Sequence, residues 1–97
     1  TQRSEVGLPK IAMAAVRMYC THVCGYCAAA ARLLEKKGVS VETIYVDDRP
    51  EQRAAMIETT GRSSVPQIFI GVRHVGGYRE LAALEINDQL DALLQGA

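Results

Sequence analysis

Three cysteines and a histidine fall within eight positions of this 97-residue chain: Cys20, His22, Cys24 and Cys27, in the run YCTHVCGYC. Three chemistries use such a set. Zinc takes four soft ligands tetrahedrally, but structural zinc sites usually join two ligand pairs across a loop. Here no second C-x-x-C exists, and His74 stands alone on an expected strand. A disulfide staple calls for an even set of cysteines spread along the chain. An odd, clustered set fits a working thiol pair in a reducing setting better, so the cytoplasm is the expected compartment.

A thiol pair works only if the fold presents one sulfur and shelters the other. Residues 14–19 form a short apolar run that reads as a buried strand ending at the cluster. Residues 25–37 are rich in alanine, leucine, glutamate and lysine, which favour helix, and Gly38 stands where a helix C-cap glycine should. Cys27, Ala30, Ala31 and Leu34 recur at helical spacing and turn Cys27 toward the core. Cys24 precedes the first turn and escapes that face. There, unpaired N–H groups and the positive end of the helix dipole favour a thiolate. Cys27, three residues on, can reach Cys24 and resolve a mixed disulfide. Cys20, at the end of a core strand, reads as a small packing residue. A cysteine four residues before a reactive thiol can also trap it as an off-path disulfide.

Residues 41–46 alternate and are rich in β-branched types, which predicts a second strand. Asp47, Asp48, Arg49 and Pro50 give a turn, an N-cap candidate and a first-turn proline, and a helix follows until Gly61. Pro66 opens a third strand at 67–70, and Gly71 and Val72 turn it into a fourth at 73–75. Gly76 and Gly77 break that strand. Leucines at helical spacing over 79–94 predict a final helical region, broken or re-capped at Asn87 and Asp88. The order is βαβαββα. Its βα units imply a parallel strand pair and its tight third connection an antiparallel hairpin. The fold class is therefore α/β, a four-stranded mixed sheet flanked by helices.

The gross numbers agree with one modest globular domain over residues 11–97, with residues 1–10 a loose tail of no clear period. Eleven lysines and arginines balance eleven acids, and 48% of residues are hydrophobic. Bulk charge therefore points to neither a nucleic-acid nor a membrane-surface partner. The longest early apolar run, 11–16, falls far short of the ~20 residues that span a bilayer.

Cys24-Gly25-Tyr26-Cys27, Ser64-Val65-Pro66-Gln67-Ile68-Phe69-Ile70 and Gly76-Gly77, in this order and spacing, resemble the glutaredoxins from about Val16 onward. The resemblance implies the thioredoxin-like fold and glutathione as reducing co-substrate. It makes Cys24 the nucleophile toward protein–glutathione mixed disulfides and Cys27 the resolving thiol for protein disulfides. It also implies a glutathione groove built from Tyr26, Arg53, Val65, Pro66, Gly77, Tyr78, Arg79 and Glu80, with a cis Val65–Pro66 bond. The partners are then glutathione and glutathionylated or disulfide-bonded proteins, and the chain a monomer unless two copies share a cluster.

Three positions depart from the family pattern. Thr21 replaces a lysine that contacts the glycine carboxylate of glutathione, which places more anion binding on Arg53, with His22 a poor substitute. Arg79 and Glu80 replace an acidic pair beside the γ-glutamyl site. Gly25 replaces a proline, restoring an N–H and flexibility. Glutaredoxins without that proline can hold a [2Fe–2S] cluster between two protomers, so the resemblance leaves open Cys24 as a cluster ligand beside glutathione, a set suited to thiolate-bound iron.

Overall fold

A computed structural model describes residues 14–96. The expected tail, and residues 11–13 of the early apolar run, lie outside the described residues. Four strands and four helices follow one another: β1 (Val16–Cys20), α1 (Gly25–Lys36), β2 (Val41–Tyr45), α2 (Pro50–Thr60), β3 (Gln67–Ile70), β4 (Arg73–Gly76), α3 (Tyr78–Ile86) and α4 (Leu90–Leu94). The sheet order is β2-β1-β3-β4. β1 pairs with β2 in parallel and with β3 antiparallel, and β3 pairs with β4 antiparallel. The expected mixed sheet is thus present, and its two central strands are the ones that deliver residues to the cysteine cluster.

Strand alternation divides the core between the two faces of the sheet. Val16, Met18 and Cys20 of β1 and Ile68 and Ile70 of β3 face one cluster, which α1, α3 and α4 close with Cys27, Ala30, Leu34, Leu81, Leu90 and Leu94. Tyr19 of β1 and Phe69 of β3 face the other side, packed with Met56 of α2 and with Val46. Cys20 is 3% exposed and belongs to the first cluster, as its place at a strand end suggests. Lys37 ties the helical layer together, its Nζ lying 2.8 Å from Glu85 and 2.9 Å from Asp91.

The expected break at Asn87 and Asp88 divides the final helical region into two helices, with Asp88 at a left-handed φ of 59° between them. The order is therefore βαβαββαα, one helix more than the expected count. Two local expectations are corrected. Gly76 ends β4 rather than breaking it, and α3 begins at Tyr78. The N-cap of α2 is Arg49, with no side-chain cap, and not an aspartate. Asp47 is engaged elsewhere: its Oδ2 accepts the His22 N–H at 3.1 Å.

Leu34 is fully buried between α1 and the sheet, so Leu34→Ala leaves a cavity as well as losing transfer energy. The expected cost is about 2–5 kcal/mol, against less than ~1.5 for Leu34→Met. Urea unfolding of both variants checks this; equal stability of the two would show that this helix face carries little of the core.

Candidate active site

β1 ends at Cys20, and residues 21–23 carry the chain to the start of α1. Cys24 is the N-cap, with extended backbone, and its Sγ accepts the Cys27 N–H at 3.2 Å. The sulfur therefore occupies the end of the helix where amides lack intrahelical partners and an anion is favoured. All three cysteines are free thiols; Cys24 is half-buried, while Cys27 and Cys20 are 5% and 3% exposed. Burial, and then the hydrogen bond to Cys24, push the Cys27 thiol up to about 12. Burial likewise raises Cys20. One sulfur is presented and two are sheltered.

The opposite wall is the segment that leads into β3. The Val65 carbonyl lies 3.9 Å from Cys24 Sγ, and the Val65–Pro66 peptide is cis. Because β3 begins at Gln67, the Val65 backbone stands outside the ladder. A buried polar network holds this segment. The fully buried Gln67 donates through Nε2 to the Ser64 carbonyl at 3.0 Å and to Ser64 Oγ at 3.3 Å. Its Oε1 lies 2.7 Å from His74 Nε2 on β4, which must therefore be the donor. Burial, and then the nearby Arg62 charge, hold His74 below the usual imidazole range, so its neutral form with the proton on Nε2 serves this bond.

The third wall is the start of α3. Glu80 reaches back, and its Oε1 accepts the Gly77 N–H at 2.7 Å, which holds its carboxyl below the usual carboxylate range. Arg62 Nη1 lies 3.6 Å from the same oxygen. Gly76 is at φ +117°, and a Cβ there would meet Glu80 Oε1 at 2.9 Å, so a side chain would evict this cap.

These walls enclose a groove of about 600 Å³. Seven of the residues expected from the sequence line it: Tyr26, Val65, Pro66, Gly77, Tyr78, Arg79 and Glu80. The Tyr26 and Tyr78 rings face each other with centroids 6.2 Å apart. Arg53 is not brought into the lining; its Nη2 donates to the Ser63 carbonyl at 3.1 Å. His22 turns away, its ring stacked on Tyr45 at 3.9 Å and its Nδ1 3.1 Å from Asp47. Arg62 and Ser64 also line the groove, and sequence reasoning missed both. Arg62 follows the left-handed Gly61 in an irregular loop, where no periodicity marks the direction of a side chain. Among the described residues, the side chains that cluster closely enough to share a metal ion are the exposed His22, Asp47 and Asp48, not the cysteines. No helix among them is long and apolar enough to cross a membrane.

Comparison with known proteins agrees with this geometry. A family model described as glutaredoxin matches residues 16–75. A glutaredoxin of Pseudomonas aeruginosa is 48% identical over 82 residues, spanning 84% of this chain and 98% of the relative. The crystal structure of a buckwheat glutaredoxin–glutathione complex superposes with a TM-score of 0.80 at 27% identity, over 86% of this chain and 78% of the other. The holo form of glutaredoxin C1 from Populus tremula x tremuloides gives 0.79 at 30% identity, over 87% and 78%. By this family match and by its sheet order, the chain belongs to the glutaredoxin family of thiol-disulfide oxidoreductases and has its thioredoxin-like fold.

Proposed function

We propose that this chain is a glutathione-dependent oxidoreductase that reduces protein–glutathione mixed disulfides through Cys24, and protein disulfides through Cys24 and Cys27 together. The observation that carries this reading is the Cys24 sulfur at the α1 start, 3.2 Å from the Cys27 N–H and beside Val65, which lines the groove. In the one-thiol route the Cys24 thiolate attacks the glutathione sulfur of the mixed disulfide, and the substrate protein leaves as a thiolate. A second glutathione thiolate then attacks the glutathione sulfur bound to Cys24, releasing glutathione disulfide and restoring Cys24. In the two-thiol route Cys27 attacks Cys24 Sγ of a protein mixed disulfide and expels the protein thiolate. Cys27 is held protonated by burial, so it must lose its proton before it attacks. The cytoplasm, where thiols stay reduced, suits both routes.

Glutathione fits the groove by charge and shape. The first-turn N–H groups of α3, at Tyr78 and Arg79, suit its γ-glutamyl carboxylate. The Val65 backbone, free of the ladder, suits pairing with the tripeptide as an added strand. The buckwheat relative is a glutathione complex, which supports this placement. With Thr21 uncharged and Arg53 engaged by Ser63, the groove's guanidiniums are those of Arg62 and Arg79.

A second reading, a [2Fe–2S] cluster shared by two copies, is favoured by Gly25. An added Cβ there would meet nothing within 4 Å, so the chain's own atoms leave this turn uncovered. The donor set fits only in part, since Cys24 is the accessible thiol and Cys20 and Cys27 are buried. Cys24 would hold the iron, with a second copy and glutathione supplying the other thiolates, and the cluster would supply electron or iron–sulfur transfer.

Turnover of a small glutathione mixed disulfide should vanish in Cys24→Ser and largely survive Cys27→Ser; equal loss in both would overturn the one-thiol route. Thr21→Lys should lower the apparent KM for glutathione several-fold, and an unchanged KM would show that Arg62 and Arg79 already saturate the anion site. Anaerobic reconstitution with iron, sulfide and glutathione should yield a brown dimer for the cluster reading. A colourless monomer would remove it.

A further inference from the structure

Cys20 is the nucleophilic group that neither route uses. It ends β1 fully packed, in the same core cluster as Cys27, with Cys24 packed against that cluster. The side chains of Cys20 and Cys27 are near enough for each thiol to influence the other's ionisation. The Cys27 N–H donates to Cys24 Sγ at 3.2 Å. The cysteines do not close into a compact metal-ligand set among the described residues. Cys27 is instead the thiol that shares the buried cluster with Cys20 and a hydrogen bond with Cys24.

We propose that Cys20 is a third redox thiol, which exchanges with a Cys24–Cys27 disulfide to form a buried Cys20–Cys27 disulfide and return Cys24 as a free nucleophile. The inference rests on the two-thiol route, which supplies the starting disulfide. Cys20 loses its proton to solvent and its sulfur bonds Cys27 Sγ. The Cys24–Cys27 bond breaks, its electron pair stays on Cys24 Sγ, and Cys24 leaves as a thiolate. One disulfide and one thiol stand on each side of the exchange, so no oxidant is consumed.

The direction follows from where the sulfurs sit. Cys24 is the better leaving sulfur because the Cys27 N–H, 3.2 Å away at the helix start, holds its anion. The exchange leaves as free thiol the sulfur at the helix start, where an anion is favoured, in place of Cys20, where burial penalises a charged sulfur. The product keeps the presented thiol for the one-thiol route while the buried pair stores the oxidation. Burial also slows the attack, since only a small fraction of Cys20 is thiolate at neutral pH. The exchange is therefore a slow conversion after oxidation, not a step of each turnover.

Two measurements test it. In Cys24→Ser, two cysteines of the original three remain, Cys20 and Cys27. Diamide treatment of dilute protein, followed by thiol titration in denaturant, should take free thiols from about two per chain to none, with a monomer on a non-reducing gel. Two surviving thiols, or a disulfide-linked dimer, would overturn the proposal. In the wild-type chain, oxidation by one equivalent of diamide, incubation, and alkylation at acid pH leave one labelled cysteine. Cleavage after Arg17 and Arg32 puts all three cysteines on one peptide, whose fragmentation locates the label. A label moving to Cys24 with incubation supports the exchange, and one confined to Cys20 overturns it. Neither measurement uses glutathione, so failure of the glutathione reading would leave this result standing, and the reverse also holds.

Discussion

The structure depends on a single placement: a sulfur seated at the point where a central strand hands over to a helix. Cys24 caps α1 with its own side chain, accepting an amide that would otherwise lack a partner. The same hydrogen bond that begins the helix also orients the sulfur. For that to work β1 must be central, so that its end is fixed from both sides. It lies between β2 and β3, and the Val46 N–H closes onto the Cys20 carbonyl at 2.9 Å. The helix must in turn be held down by its buried face. Cys27, Ala30 and Leu34 supply that face, and this is why the second thiol of the pair is sheltered.

The groove's far wall is held by polar rather than apolar forces. Among the described residues Gln67 is the one buried polar side chain of its kind, and its amide is satisfied at both ends by Ser64 and His74. A buried amide with its partners in place specifies a single geometry, because any shift would leave a polar group unpaired. The neighbouring Glu80 cap works in the same way at the start of α3. It occupies the Gly77 amide and leaves the next amides of the turn for an incoming anion, while Arg62 offsets the carboxylate's charge. The charge of this wall is thereby set by Glu80 of α3 and by Arg62 of the loop before β3.

Much of this was legible from residue types. The C-x-x-C pair, the helix face through Cys27 and Leu34, and the β3 strand after Pro66 were readable because each is local: capping, 3.6-residue periodicity and a missing N–H act within a few positions. The break at Asn87 and Asp88 in the last helical region was readable too, since both residue types tolerate the left-handed backbone that Asp88 adopts. Asp47 read only as part of a turn and became an anchor for His22, a partner 25 positions away that no local pattern shows. Arg53 and Arg62 carry the same charge, and only the loop between α2 and β3 decided which of them enters the groove.

The sequence by itself determined the C-x-x-C pair and its inequality, since Cys24 precedes the helix while Cys27 lies on the face that packs into the core. It also determined the element order up to the last helix and the identity of most groove residues. The tertiary structure alone decided how the walls meet. It put the Val65 carbonyl opposite Cys24, gave Gln67 its two partners, and turned His22 away from the groove. It also brought Cys20 against Cys27 through the hand-over from strand to helix. These are contacts between positions whose separation the fold sets, and no local rule of spacing, propensity or charge contains them.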